Sequence, residues 1–596
     1  MKQRIALLAG LIAILLTAHM PVFRAGFVWD DTALVLRDPL IRSWRLIPEG
    51  FEHFLFLDAT PSNFYRPLQR LTYAMEYWAF IFNPTAYHLT NILLHATAAV
   101  ALFAFAMAFL RLYGWPENRR LIVAAISTAA WALHPIHSAV VDYVAGRADS
   151  LAAIFGFVGL YFAIRAVALE GRGPWKFHAL TAIALLASAL SKESGLIFAA
   201  LWIALLLQQR RWRALVPVGI AIAFTFTIYF TLRIQAGDAQ VPRLTPSAPL
   251  LMRPIIAARA ITEYTGLLIA PINLRMDRDV ESHPWGFNEA SMAAASWGEL
   301  QTVAGVALFG TIVIWLIRVR RRDPATFTLL LLAMISYFPI CGLFALNATV
   351  AEHWIYLPSA FVVVALVNQF AQLTDRRSDR LVWKLATVAT VWIAFLSVRT
   401  FFRAQDWKDQ RTFLEGTIAT GSDSARMLIN LGAHEMSDGH FDRAESLLRR
   451  ALAKEPGQPF AVLNLAAVAF KKNDLKTARN LIEQACKNPV SEAQAQELLA
   501  AVENRQGGEI DLARLRLAAH TGPPAWPIER RYVRALDQHG RTGGAVAELQ
   551  AVLQTDWYRA ESWQLLSDCL AKLDRKSEAA LALAEARAYD VHLGRH

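Results

Sequence analysis

Long apolar runs recur from the start of the chain to about residue 402, and a different pattern follows them. The runs in the first part are long enough to span a bilayer and are separated by short polar loops. Beyond Asp406 the chain becomes an alanine- and leucine-rich helical pattern studded with charges. The pattern predicts an all-α protein: a polytopic membrane domain at 1–402, a linker at 403–422 and a second helical domain at 423–592.

Basic residues predict the direction of each span. Arg and Lys cluster in short loops between the apolar runs, which is typical of loops on the cytoplasmic side of a membrane. With Lys2 and Arg4 inside, about eleven spans place these loops inside and the C-terminal half outside. The run at 253–274 carries three charges, and we interpret it as an interfacial or re-entrant helix. A first outer loop is then expected at 24–86.

The C-terminal part shows a 34-residue period, which is the period of tetratricopeptide repeats. Alanine and glycine recur at the offsets where two antiparallel helices approach closely and a larger side chain would clash. The pattern predicts an α-solenoid, which commonly binds peptide or protein in its concave groove. A structural spacer is the alternative. Positions in the first two repeats are Leu431, Gly432, Ala444, Leu448 and Ala451, followed by Leu465, Ala466, Ala478, Ile482 and Ala485.

Composition agrees with a membrane protein. The 596 residues are 55% hydrophobic and only 18% charged, less charged than a soluble protein of this length. The net charge of +11 sits in loops between apolar runs, so it does not indicate a nucleic-acid partner. Three cysteines are too few for a disulfide framework.

Ionisable residues that interrupt the apolar pattern fall mostly on the outer side in this topology. Such residues near membrane depth are costly and commonly line a functional site. Asp30 or Asp31 suits a general base, and Arg66, Arg147 and Lys192 suit a phosphate or diphosphate. Together they fit transfer from a lipid-linked phosphate donor to a hydroxyl acceptor. The candidates are Asp30, Asp31, Arg66, His134, His137, Arg147, Asp149, Lys192, Glu193, Glu352 and His353.

Each candidate also has a structural interpretation. Paired aspartates after a span are often solvated caps, and Lys192 could be a snorkelling lysine. Glu352 and His353 could form a buried structural pair. His134 and His137 lack the further ligands of a metal site, so we expect hydrogen bonding at a helix end, no metal and no cofactor. The chain has neither a P-loop nor a GxSxG motif.

Several segments resemble the transmembrane and tetratricopeptide-repeat O-mannosyltransferases, which belong to the GT-C glycosyltransferases. The most specific is "HPIHSAVVDYVAGRAD" at 134–149, and the others follow in the same order along nearly the whole chain. They are "GFVWDD", "FYRPLQRLTYAMEYWAF", "SALSKESGL", "AEHWIYLPS" and "RAQDWKDQ", and the 34-residue repeats come after them.

The resemblance implies inverting transfer of a sugar from a polyprenyl- or dolichyl-phosphate donor on the periplasmic or lumenal side. GT-C enzymes generally carry a catalytic acid in the first outer loop, which matches Asp30 and Asp31. The family's "GRAD" falls on 146–149 and its "KE" on 192–193, as active-site candidates. The chain departs from animal members in its shorter repeat array and in His353, where Arg is common. The short array and the basic, Arg-rich chain favour a bacterial inner-membrane protein with a periplasmic repeat domain.

Three functions follow from these observations. The first is a glycosyltransferase that moves a sugar, with mannose as the family's sugar, from a membrane lipid phosphate to a protein or glycan hydroxyl held by the repeats. We assign the base to Asp30 and the orientation of the loop or acceptor to Asp31. The second is a non-enzymatic, membrane-anchored scaffold for envelope assembly. The third is an oligosaccharide ligase or polymerase with a diphosphate-linked donor.

The expected topology gives a direct prediction. A reporter fused after His596 should behave as a periplasmic protein, because every basic loop then stays on the cytoplasmic side. Alkaline phosphatase at that position should be active in intact cells, and a fusion after Arg322 serves as the inverse control. Cytoplasmic behaviour of the His596 fusion would overturn the topology.

Overall fold

A computed structural model gives the architecture of the chain. It describes every residue except 1, 58–61, 170–174, 238–248, 279, 281–288, 345, 347, 375–378, 422–423, 507–510, 522–524 and 595–596.

The fold is all-α, as predicted, and its helices are α1 (Lys2–Ala18), α2 (Pro67–Phe80), α3 (Pro84–Leu112), α4 (Glu117–Ala132), α5 (Ser138–Val141), α6 (Arg147–Ala168), α7 (Trp175–Ser191), α8 (Ile197–Gln208), α9 (Leu215–Gln235), α10 (Arg253–Ile269), α11 (Glu289–Arg322), α12 (Pro324–Tyr337), α13 (Tyr356–Thr374), α14 (Asp379–Ala404), α15 (Gln410–Ala419), α16 (Ala425–Ser437), α17 (Phe441–Lys454), α18 (Pro459–Lys471), α19 (Leu475–Ala485), α20 (Glu492–Arg505), α21 (Leu512–Ala519), α22 (Trp526–Gln538), α23 (Thr542–Thr555), α24 (Ala560–Lys572) and α25 (Lys576–Tyr589). Where the structure is described, the strands β1 (Asp277–Arg278) and β2 (Val350–Ala351) form the one sheet, a two-stranded antiparallel ladder.

Among the described residues, six helical segments are long and apolar enough to cross a membrane, and a bent pair, Glu117–Ala132 with Pro135–Val141, can act as a seventh. Shorter apolar helices lie at Trp175–Ser191, Glu193–Gln208 and Pro324–Ile340. The chain is therefore an integral membrane protein. These helices agree with the predicted polytopic membrane domain, and the total of eleven spans stays a prediction.

Proline and local caps decide where several of these helices begin. Pro84 occupies the first turn of α3, where its missing N–H would have no partner in any case. The Asn83 side chain accepts from the Thr85 N–H and satisfies another free donor of that turn. α2 starts in the same way at Pro67, directly after Arg66, so the chain places this arginine at the helix entrance.

Buried aromatic rings hold the membrane half together. Phe105 of α3 lies 6.2 Å from Phe157 of α6 and 5.7 Å from Phe361 of α13, measured between ring centroids. Trp131 of α4 joins the same cluster and is fully buried. These rings fix the helices against one another and so fix their ends, where the polar candidates lie.

Antiparallel helix pairs make up the C-terminal part, as the 34-residue period predicts. α16 packs on α17 and α18 packs on α19, and the repeated alanines Ala444, Ala451 and Ala478 are buried between helices. A Cβ on Gly432 would lie 2.9 Å from Leu448 Cγ, so this position requires glycine for the helices to approach. The segment predicted as a linker at 403–422 contains α15.

Both ends of the repeat array contact the first outer loop. At the start, the Arg426 guanidinium of α16 lies 5.1 Å from the centre of the Trp29 ring, and just before the array the Lys408 carbonyl accepts from the Gly26 backbone N–H at 2.9 Å. At the far end, Tyr77 Oη donates to Asp590 Oδ1 at 2.7 Å, and Ser43 Oγ donates to the Ala588 carbonyl at 2.8 Å. The array is thus attached to the membrane half at two points.

Tyr77→Phe should loosen the far attachment while the rest of the array is unchanged. The buried hydroxyl donates to a carboxylate, and losing such a bond costs about 1–3 kcal/mol. Hydrogen exchange measured by mass spectrometry should therefore rise in residues 576–594. Tyr161→Phe, in membrane helix α6, is the control. Unchanged exchange at 576–594 in Tyr77→Phe would show that this contact does not hold the array.

Candidate functional site

The two adjacent aspartates of the first outer loop have different surroundings. Asp31 is completely buried, and its two carboxylate oxygens accept from the Val28 N–H at 3.1 Å and the Ala145 N–H at 2.8 Å. Asp30 is only partly buried. Asp31 therefore fastens the loop to the segment before α6, and Asp30 is the carboxylate left to face a substrate.

Burial changes the acidity of both groups. It raises the pKa of Asp31 to about 8, although the two backbone N–H donors act in the opposite direction. Burial also raises the pKa of Asp30, while a hydrogen bond from Tyr143 and the charges of Arg426 and Arg66 act to lower it. A carboxylate with a raised pKa is a stronger base, which is the property that a general base requires.

Trp29, directly before Asp30, has a strained backbone. Its φ angle is +50°, in the left-handed region that a bulky side chain rarely adopts. Strain of this kind costs about 1–3 kcal/mol and persists only where the surroundings impose it. Here the Trp29 N–H donates to Gln410 Oε1 at 2.6 Å, and the indole ring lies 5.3 Å from Phe413.

Two ion pairs lie close to Asp30. Arg66 Nε donates to Glu193 Oε2 at 2.9 Å, and Lys192 Nζ donates to Asp149 Oδ2 at 2.6 Å. The charge of Arg66 acts on both Lys192 and Asp30, so Arg66 couples Asp30 electrostatically to the two ion pairs. We name Asp30, Arg66, Asp149, Lys192 and Glu193 the charged cluster.

Arg66 has two nitrogens that make no hydrogen bond to the described residues. Only its Nε is hydrogen-bonded, and its two terminal nitrogens have no acceptor in the described part of the chain. The Arg66 side chain is 14% exposed, and its guanidinium carbon lies 4.5 Å from the centre of the Phe64 ring. A guanidinium fixed at one nitrogen and open at the other two can bind a phosphate with two parallel hydrogen bonds.

Arg147 differs from the prediction of a phosphate-binding residue. It is fully buried, and its guanidinium bonds Asn91, Thr72, the Tyr87 carbonyl and both carboxylate oxygens of Glu76. These partners use all of its donors. The structure therefore gives Arg147 a structural role between α2, α3 and α6, because its charge needs the buried Glu76 as a partner.

Glu352 and His353 are adjacent in the chain but differ in burial, as the two aspartates do. Glu352 is buried and accepts from the Arg275 N–H and from Arg403, so its role is structural, but its ion-pair partner is Arg403 and not His353 as the structural interpretation had it. His353 is partly buried, and its Nδ1 has no partner among the described residues. Lys192, Arg66 and Arg426 all act on its charge, which places His353 beside the charged cluster.

The two histidines of the "HPIH" motif lie in a buried aromatic group. His134 Nδ1 accepts from the Ile136 N–H at 3.2 Å and so caps a short 3-10 helix, as expected for a helix end, and Nε2 bonds the Leu268 carbonyl. His137 is buried against Trp131 and Tyr356, and neither of its ring nitrogens has a partner among the described residues, so the expected helix-end hydrogen bonding is found for His134 and not for His137. No group of three possible metal ligands occurs in the residues that were described.

Close packing explains why the first residue of the "GRAD" motif, Gly146, is a glycine. A Cβ on Gly146 would lie 2.6 Å from the Ala139 carbonyl oxygen and 2.7 Å from the Val140 carbonyl oxygen. Any other residue would push α6 away from α5. Since Ala145 donates to Asp31, this close approach also sets the position of the first outer loop.

Sequence reasoning missed three residues of this region. Tyr143 bonds Asp30, Glu76 neutralises Arg147, and Arg426 of α16 reaches the charged cluster from the repeat array. Glu76 carried a signal, because an acidic residue in an apolar helix needs a partner. Arg426 carried none, since it resembles any exposed arginine of a repeat helix.

A family model described as tetratricopeptide repeat matches residues 435–502. The human protein O-mannosyl-transferase TMTC3 is 23% identical over 490 residues, which are 76% of this chain and 52% of that protein. A protein O-mannosyl-transferase of Caenorhabditis elegans is 24% identical over 76% of this chain and 64% of its own length. Human TMTC4 is 31% identical over 32% of this chain and 27% of its own length. The chain thus spans about half to two thirds of the first two relatives.

Solved structures give weaker matches. ArnT from Cupriavidus metallidurans, solved with undecaprenyl phosphate, covers 83% of this chain and 80% of its own at 14% identity, with a TM-score of 0.37. YrrB, a tetratricopeptide-repeat protein with an unusual peptide-binding site, covers 30% of this chain and 93% of its own at 18% identity, with a TM-score of 0.22. Scores this low do not establish a shared fold.

The sequence relatives extend across the membrane half and the repeats together. The resemblance to the transmembrane and tetratricopeptide-repeat O-mannosyltransferases, predicted from the motifs, is therefore confirmed over most of the chain.

Proposed function

We propose that the protein is a membrane glycosyltransferase. It transfers a sugar, with mannose as the first choice, from a polyprenyl-phosphate-linked donor to a hydroxyl of a protein or glycan acceptor. The reaction takes place at the outer face of a membrane, which we expect to be the bacterial inner membrane. The observation that carries this proposal is a partly exposed carboxylate with a raised pKa, Asp30, on which the charge of Arg66 acts, together with Lys192, on which Arg66 acts as well.

The acceptor side of the reaction is assigned to Asp30. A hydroxyl must lose its proton as it attacks the anomeric carbon, and a carboxylate within hydrogen-bond reach can take that proton. The raised pKa of Asp30 favours this step. Asp31 holds the loop and does not meet the substrate, because burial and two backbone N–H groups occupy it completely.

The donor side is assigned to Arg66 and Lys192. As the bond from the sugar to the phosphate breaks, negative charge grows on the leaving phosphate oxygens, and fixed cations stabilise it. Arg66 offers its two open nitrogens, and Lys192 adds a point charge in a buried setting. His353, with its unbonded Nδ1, is placed to contact the sugar or the phosphate.

The repeats are assigned to binding the acceptor or a partner protein. Their helix pairs have the architecture that commonly presents a concave groove to peptides. A non-enzymatic scaffold explains such a groove but not the charged cluster, since anchoring requires no carboxylate beside two cations. A diphosphate-linked donor would need the same cluster and differs only in the leaving group.

Replacing each aspartate separately should distinguish a loss of catalysis from a loss of stability. Asp30→Asn should lower the rate of transfer about 10²–10⁴-fold, because the general base is lost, and leave the unfolding temperature unchanged. Asp31→Asn should lower the unfolding temperature, because one backbone N–H then faces an amide NH₂ group and about 1–3 kcal/mol is lost. Label transfer from undecaprenyl-phosphate-linked mannose to envelope proteins of the expression host measures the first effect.

Glu52→Gln, an exposed carboxylate of the same loop, is the matched control and should behave as wild type in both assays. Transfer that persists at the wild-type rate in Asp30→Asn would contradict the proposed mechanism. Identical envelope glycans with and without the protein, compared by mass spectrometry, would favour the scaffold.

A further inference from the structure

A ladder of stacked side chains connects the repeat array to the first outer loop. Tyr143 stacks on Trp407 at 5.3 Å and 19°, and Trp407 stacks on Phe413 at 4.8 Å and 25°. Phe413 packs on Trp29 at 5.3 Å, and the Arg426 guanidinium lies 5.1 Å from the centre of the Trp29 ring. Trp407 is itself fixed, since its Nε1 donates to Ser138 Oγ at 2.8 Å.

The ladder holds Asp30 from two directions. At one end, Tyr143 is hydrogen-bonded to Asp30. At the other end, Trp29, which precedes Asp30 in the chain, is fixed between Phe413 and Arg426 in a conformation that it would not adopt freely. Three of the five side chains in the ladder come from residues 407–426, at and beyond the end of the last candidate membrane span, Ala386–Trp407.

We propose that α15 and α16 complete the active site, and that Arg426 acts there as a positioning residue: it packs over Trp29 and holds the Asp30 carboxylate with its charge. This inference rests on the proposed role of Asp30 as the base. It also gives the repeat array a second task, since the first helix of the array then takes part in the reaction as well as in binding.

The charges around Asp30 define what Arg426 contributes. Tyr143, Arg426 and Arg66 face the carboxylate from three different elements, and Asp31 is its neighbour in the chain. The positive charge of Arg426 favours the ionised form of Asp30 and so lowers its pKa. Removing the charge of Arg426 must therefore raise the pKa of Asp30. When the pH is lowered, Asp30 then takes up its proton at a higher pH than in the wild type, and transfer is lost at that higher pH.

The test compares full-length variants in lipid nanodiscs. Dicyclohexylcarbodiimide labels carboxyl groups that hold a proton in apolar surroundings, and peptide mass spectrometry separates labelled Asp30 from labelled Asp31. Arg426→Met should move the pH midpoint of Asp30 labelling upward by about half a unit or more. Arg426→Lys should restore the wild-type midpoint, and Asp31 should shift less, because Arg426 is not among the charges that act on it.

Arg479→Met is the matched control, since Arg479 is an exposed arginine of α19 that pairs with Glu503. Thermal unfolding checks that each variant is folded, and Arg426→Gln replaces Arg426→Met if the latter is not. An unchanged Asp30 midpoint in a folded, charge-removed variant would overturn the inference.

A transfer assay separates this inference from the proposed function. With undecaprenyl-phosphate-linked mannose as the donor, Arg426→Met should lose transfer at a higher pH than wild type, by the same shift as the labelling midpoint. No transfer by the wild-type protein, together with a shifted midpoint, would refute the proposed function and leave the electrostatic effect of Arg426 on Asp30 standing. Transfer by wild type with no shift in either assay would refute the inference alone.

Discussion

The two hydrogen bonds that Asp31 accepts from Val28 and Ala145 fix the position of everything around the proposed site. They join the first outer loop to the segment that leads into α6, in a place that no solvent reaches. Gly146 makes the junction possible, because a side chain there would collide with the Ala139 and Val140 carbonyls. The neighbouring Asp30 is thereby brought to the site, where Tyr143 and Arg426 complete its positioning.

Other residues of the site also fall into two groups: some are buried and have a structural role, and others can bond a substrate. Arg147 and Glu352 are buried, and each has an opposite charge as its partner, in Glu76 and Arg403. Arg66 and His353, in contrast, have nitrogens without a hydrogen-bond partner in the described part of the chain. Buried ion pairs are expensive to break because the remaining charge is left without water or a partner. The structural pairs therefore form a rigid frame, and the residues with free bonding capacity are those that a substrate can engage.

The sequence patterns predicted the large-scale organisation well and the roles of individual residues less well. Apolar runs and a 34-residue period depend on local periodicity, so the helices and the repeats follow from the sequence directly. The role of Arg147 depends on Glu76, which lies on another helix, and no local pattern shows that contact. Arg426 was missed for the same reason. Its importance arises only when α16 packs beside Trp29, which is a property of the tertiary fold.

The site thus draws on both halves of the chain, with the membrane helices supplying the cations and the repeat array supporting the loop that bears the base. A structure of the full-length protein with undecaprenyl phosphate bound would test this account most directly. The account predicts the phosphate within about 4 Å of the terminal nitrogens of Arg66 and of Lys192 Nζ, on the same side as the Asp30 carboxylate. A phosphate bound at the opposite end of the helices, away from Asp30, would contradict it.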